Sequence, residues 1–145
     1  MRQSTKATPA LTHSIIGAFY EVYNTLGLVF EHVYTMALER ELTARGHCVA
    51  REVSVRIFYK GEELTTQRLD MIVDDAVVVE MKAGKSLEPY AARQLYDYLR
   101  ATSLEAGLLF HFGPEPAFFR ANCRQKFKSK DEKLKLSAPL ESSGT

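Results

Sequence analysis

Long apolar runs are what this sequence most plainly lacks. Among its 145 residues, none approaches the ~18–20 uninterrupted apolar positions of a membrane-spanning helix. The longest runs, such as Ala76 to Val79 and Gly107 to Phe110, are of strand length. The opening stretch MRQSTKATPALTHSIIGAFYE begins basic but has no secretory core, because His13 and Glu21 bound too short an apolar run. Cysteine is scarce too. Cys48 and Cys123 form neither a disulfide framework nor a metal-ligand spacing, which points to two buried thiols in a reducing cytosol. The four histidines, His13, His32, His47 and His111, show no ligand spacing, and no internal repeat is visible. Apolar residues at 46% and charged residues at 26% exclude a wholly disordered chain, a collagen-like repeat and a coiled coil. What remains is a single cytoplasmic globular domain.

What is present is unevenly charged. The net charge is +1, yet residues 11–119 hold ten Lys and Arg against fifteen Asp and Glu, a balance of −5. Residues 120–135 hold seven (Arg120, Arg124, Lys126, Lys128, Lys130, Lys133 and Lys135) against Asp131 and Glu132, a balance of +5. Such a distribution suits a metal-binding cleft beside an arm for a polyanion, and equally a solvated tail that keeps the protein soluble.

Along the chain, residues 1–10 read as a flexible lead-in with no apolar periodicity. Leu11, Ile15, Phe19, Val22 and Leu26 then recur at helical spacing, and Gly27 offers a left-handed stop. Phe30, Val33, Tyr34, Ala37, Leu38 and Leu42 mark a second helix, stopped by Gly46. The period changes to two at Val53, Val55, Ile57 and Tyr59, and Lys60-Gly61 makes a turn. A second strand runs from about Leu64 to Val73, and Asp74-Asp75 makes the next turn. The segment from Ala76 to Met81 (AVVVEM) is β-branched and nearly continuous, as in a strand buried on both faces. Pro89 opens a third helix through Leu95 and Leu99, and a last strand spans Ala106 to Phe112. Residues 114–128 are ambiguous, and 129–145 read as a basic-to-polar disordered tail. The expected fold is α/β, a central mixed four-stranded sheet (a three-strand meander plus one further strand) flanked by helices, within a domain of residues 11–128.

The buried strand contains an anomaly. Glu80 and Lys82, two residues apart, point to the same face, and charges there are costly unless paired or bound to a metal. Counting back across the Asp74-Asp75 hairpin sets Asp70 near the level of Glu80. Two carboxylates on adjacent strands, with a lysine two residues on, suit a hard divalent cation and a developing phosphate charge. The plainer reading is a surface ion pair between Glu80 and Lys82 at the strand's exit. Tyr34 and Tyr98 read as aromatics at the edge of the core, although Tyr98 lies one turn after Gln94 and so near the same cleft. Tyr90 and Arg93 read as an exposed helix face.

Asp70, nine intervening residues and Glu80-Met81-Lys82 resemble the signature of the PD-(D/E)XK nuclease superfamily. The strings IIGAFYEVYNTLG, FEHVYTMALERELTARG, VSVRIFYKGE, LDMIVDDAVVVEMKA, ARQLYDYLRAT and GLLFHFG resemble, more closely, its GxxExxY subgroup. Two departures stand out. The glycine-rich stretch before the second helix, Leu26-Gly27-Leu28-Val29-Phe30-Glu31, is one residue short and lacks its second glycine, and His111 stands where asparagine is expected.

The resemblance implies a restriction-endonuclease-like core and a metal-dependent nuclease cleaving DNA to a 5′-phosphate and a 3′-hydroxyl. Asp70 and Glu80 would bind Mg²⁺ or Mn²⁺ with the backbone carbonyl of Met81, and Glu31 would reach the metal directly or through water. Lys82 would steady the attacking water and the transition state, and Gln94 would hydrogen-bond the lysine, the water or a phosphate oxygen. By the charge surplus alone, Arg120, Arg124, Lys126, Lys128 and Lys130 would hold nucleic acid, and the resemblance adds a homodimer that would enlarge the grip of so small a domain. A non-catalytic module for nucleic acid or protein on the same fold, or a nuclease acting on RNA, are the alternatives.

Overall fold

The computed structural model describes residues 6–27 and 29–123. Helix α1 (Pro9–Leu26) begins two residues ahead of the apolar periodicity. The Thr8 hydroxyl accepts the Leu11 N–H at 3.1 Å, and Pro9 occupies the first turn, where its missing N–H is no loss. Helix α2 (Glu31–Ala44) follows after a short loop. Strands β1 (Val49–Tyr59), β2 (Glu62–Val73) and β3 (Val77–Ala83) form the expected meander. Helix α3 (Tyr90–Thr102) then carries the chain to β4 (Ala106–Phe112), which lies parallel to β3.

The sheet has five strands rather than four. A further strand, β5 (Pro116–Asn122), pairs antiparallel with β4 inside the stretch the sequence leaves ambiguous. Its order is β1-β2-β3-β4-β5, mixed through the single parallel pair. The expectation of two buried thiols also fails: Cys48 is exposed and Cys123 half-buried. Cys48 lies in the connector before β1, where its backbone, not its thiol, is bonded to the β2–β3 turn.

Two cores flank the sheet. On one face α1 and α2 bury Ile15, Phe19, Tyr34 and Leu38 against Val77, Val79, Met81, Phe110 and Phe112. Phe19 stacks on Phe110 with centroids 4.3 Å apart, and Tyr34 stacks on Phe112 at 3.8 Å. On the other face α3 buries Leu95, Tyr98 and Leu99 against Val78, Leu109 and the distal part of the β1–β2 hairpin. Each large side chain so buried contributes about 1.5–3 kcal/mol. Gly107 lets α3 come close, since a Cβ there would lie 2.9 Å from Leu95 Cδ1.

Candidate active site

Strand β3 alternates Val77, Val79 and Met81 toward α1 and α2, which leaves Val78, Glu80 and Lys82 on the α3 side. The β2–β3 ladder runs Val73↔Val77, Ile72↔Val78 and Met71↔Val79, and the next opposed pair in that register is Asp70 and Glu80. There each side chain reaches across to the other backbone. The Asp70 N–H donates to Glu80 Oε2 at 2.9 Å, and the Met81 N–H donates to Asp70 Oδ2 at 2.8 Å. The carboxylates thus replace the ladder bonds the diverging strands no longer make.

The third strand bends at the same level. Glu52 stands opposite Asp70 in the register and adopts a left-handed conformation, φ 52°. Strand alternation reverses there: Val49, Met71 and Val73 join the core under α1 and α2, whereas Val53, Val55, Ile57 and Leu69 join the core under α3. A glutamate at positive φ is a strained residue, and such strain collects at functional sites. Arg51 at 3.7 Å and Arg68 at 3.6 Å flank its carboxylate, and Arg51 is itself anchored to Glu39 of α2 at 3.0 Å.

Glu80 is only 5% exposed, which rules out a surface ion pair. Burial, and next the neighbouring charge of Asp70, push its carboxyl up from 4.5 to about 8. The Asp70 N–H bond and the charge of Lys82 pull the other way and lose. Lys82 is half-buried at the end of β3, opposite His111 of β4, whose Nε2 lies 2.9 Å from the Gly84 carbonyl oxygen and pins the turn after β3.

Helix α3 contributes a group the sequence marked only as a core-edge aromatic. Burial first, and then the charges of Glu80, Asp70 and Asp97, raise the Tyr98 hydroxyl to about 12. It therefore stays protonated, facing two carboxylates. The one legible signal was its spacing from Gln94, which lies one turn earlier, half-buried, on the flank of the same stripe.

Glu31 stands apart. It is exposed at the first position of α2, and the Thr35 hydroxyl one turn on contacts Met81 Sδ at 3.9 Å. That turn therefore lies on the α1 and α2 side of β3, away from the face that carries Glu80. Among the described residues no group of three or more His, Cys, Asp or Glu side chains converges as metal ligands do. Tyr34, three residues after Glu31, is fully buried, donates to the Gly27 carbonyl and accepts the Val29 N–H at 3.2 Å, so it secures the loop into α2. Arg120 is exposed on β5, whereas Arg124, Lys126, Lys128 and Lys130 lie outside the described residues.

The family model of the PD-(D/E)XK nuclease superfamily matches residues 9–122, which span all eight elements. The chain belongs to the PD-(D/E)XK nuclease superfamily. Membership fits the α/β architecture and the Asp70, Glu80 and Lys82 arrangement on diverging strands. The crystal structure of SSO0001 is similar at 21% identity and a TM-score of 0.49, over 86% of this chain. The chain spans 63% of the length of that protein. No curated protein matches the sequence. Among the described residues no helix is long and apolar enough to cross a membrane.

Proposed function

We propose that this superfamily member hydrolyses DNA phosphodiester bonds at Asp70, Glu80 and Lys82 in the cytoplasm, leaving a 5′-phosphate and a 3′-hydroxyl. One observation carries the reading: two carboxylates from adjacent strands, one of them buried, are locked face to face beside a lysine. A carboxyl held protonated by burial, and next by a neighbouring carboxylate, fits a divalent cation, whose charge would favour the ionised pair. Asp70 and Glu80 would hold Mg²⁺ or Mn²⁺, with the Met81 carbonyl as a third oxygen and Glu31 as an outer partner. When bound, such a cation polarises a phosphoryl oxygen and acidifies a bound water.

The chain's own groups supply the remainder. Lys82, on the same face as Glu80, would neutralise charge that develops on the phosphate in the transition state. Tyr98, kept as a phenol, and Gln94 one turn before it offer hydrogen-bond donors to a phosphate oxygen or to the lysine's surroundings. Arg120 and the basic residues after it would draw the polyanion toward an otherwise acidic body, and pairing of two copies would widen the contact.

The test is a panel of labelled linear, branched and single-stranded DNA and RNA, incubated with Mg²⁺, Mn²⁺ or EDTA. Cleavage of DNA that EDTA and Lys82→Ala both abolish supports the proposal. Cleavage confined to RNA, or binding without cleavage in either metal, overturns it in favour of an RNA nuclease or a non-catalytic module.

A further inference from the structure

Away from the carboxylate pair, three side chains that nothing in the nuclease chemistry uses are joined in one hydrogen-bonded line. Ser14 Oγ on α1 lies 2.8 Å from His47 Nε2, in the connector between α2 and β1. His47 Nδ1 lies 2.8 Å from Asp74 Oδ2, in the turn between β2 and β3. Asp74 is held in turn, its Oδ1 accepting the Cys48 N–H at 2.7 Å and its own N–H bonded to the Cys48 carbonyl at 2.8 Å.

A carboxylate only accepts, so Nδ1 carries a hydrogen, and in the neutral tautomer that leaves Nε2 to accept from the Ser14 hydroxyl. A hydroxyl, a base within hydrogen-bond reach and a third group orienting that base make up the signature of an activated nucleophile. Three strand residues, four Cα steps or about 13 Å, separate Asp74 from Asp70, so the line is distinct from the carboxylate pair.

Arg45, paired through Nε with Glu41 Oε2 at 2.9 Å, borders it. Arg45 Nη1 donates to the Ser14 carbonyl at 3.2 Å, and the same nitrogen lies 3.0 Å from where a Gly17 Cβ would stand. A glycine inside a helix costs about 1 kcal/mol. Here its bare Cα admits the guanidinium to the turn that carries Ser14.

We propose that Ser14, His47 and Asp74 form a second reactive centre, with Ser14 as a nucleophile toward small carboxylic esters and the Arg45 guanidinium holding the helical turn that carries it. Ser14 is half-buried and the His47 side chain 13% exposed, which favours a small ester over a bulky one. The Ser14 oxygen bonds to the acyl carbon as its proton passes to Nε2; the ester's C–O bond then breaks, and that proton goes to the departing alcohol oxygen, or to solvent when a phenolate leaves. Water then attacks the acyl-serine through the same base, and the acid leaves as serine regains its proton.

The test uses p-nitrophenyl acetate and a small alkyl fluorophosphonate on the full chain, read by intact mass and peptide mapping. The expected result is one adduct per chain on Ser14, with an equivalent burst of nitrophenolate, unaffected by EDTA. Ser14→Ala should remove the adduct, and Asp74→Asn should slow its formation by at least about 100-fold, because the amide no longer holds the required tautomer. Asparagine tolerates the left-handed φ of 54° at this turn. Ser14→Ala suits a helix, so both variants should melt close to the parent. No adduct on the folded parent, an adduct mapped to another residue, or an unchanged rate in Asp74→Asn overturns the proposal.

Discussion

At the residue scale, the proton on Glu80 ties stability to pH. Between pH 4.5, its ordinary value, and about 8, the folded chain keeps a proton that the unfolded chain has released. Stability therefore falls as pH rises through that window and levels off above it. The gap corresponds to roughly 4–5 kcal/mol as an upper figure. Glu80→Gln retains an oxygen for the Asp70 N–H but cannot ionise, so it should raise the thermal midpoint at pH 9 and leave it nearly unchanged at pH 4.5. Melting curves across that range check it, and an equal shift at both pH values would mean the side chain is ionised throughout. Lys82→Ala is expected to lose cleavage by at least about 100-fold while keeping nucleic-acid affinity, since one lysine adds little to many phosphate contacts. Single-turnover rates beside a binding isotherm would separate the two.

At the scale of elements, the close approach of α3 to β4 rests on Gly107. Gly107→Ala should destabilise by about 1–3 kcal/mol, because the new methyl meets Leu95 Cδ1 at 2.9 Å. Pairing it with Leu95→Ala should recover part of the loss, and a double-mutant cycle in urea measures the coupling. The elements themselves were unequally legible. The meander could be read because its period of two and its turn pairs, Lys60-Gly61 and Asp74-Asp75, are local signals, and the same counting set Asp70 against Glu80. Strand β5 could not, because an edge strand with only Ala121 buried carries no alternation to read. Nor does anything about Glu52 announce a left-handed residue, since that conformation is imposed by the twist of the hairpin between two cores. Glu31 is tied to the site only by resemblance to a motif, since its helix packs on the face of β3 opposite Glu80 and local pattern cannot relate the two.

For the whole molecule, the question is how a body with a balance of −5 over residues 11–119 meets a polyanion. Replacing Lys126, Lys128, Lys130, Lys133 and Lys135 with glutamine should weaken DNA binding and flatten its salt dependence. The log–log slope should fall by roughly 0.9 for each phosphate that is no longer neutralised. Cleavage at saturating substrate should persist, and an unchanged slope would assign DNA binding to another surface. The topology also orders events in time. Asp70 and Glu80 sit ten residues apart across one tight hairpin, whereas β4 must wait for α3 to cross over. Short loops close fastest, so the two carboxyls meet while the chain is still searching for its parallel partner. Their repulsion at pH 9 is then a barrier to folding as well as a burden on the native state. In stopped-flow refolding, Glu80→Gln should accelerate the folding limb more than it slows the unfolding limb.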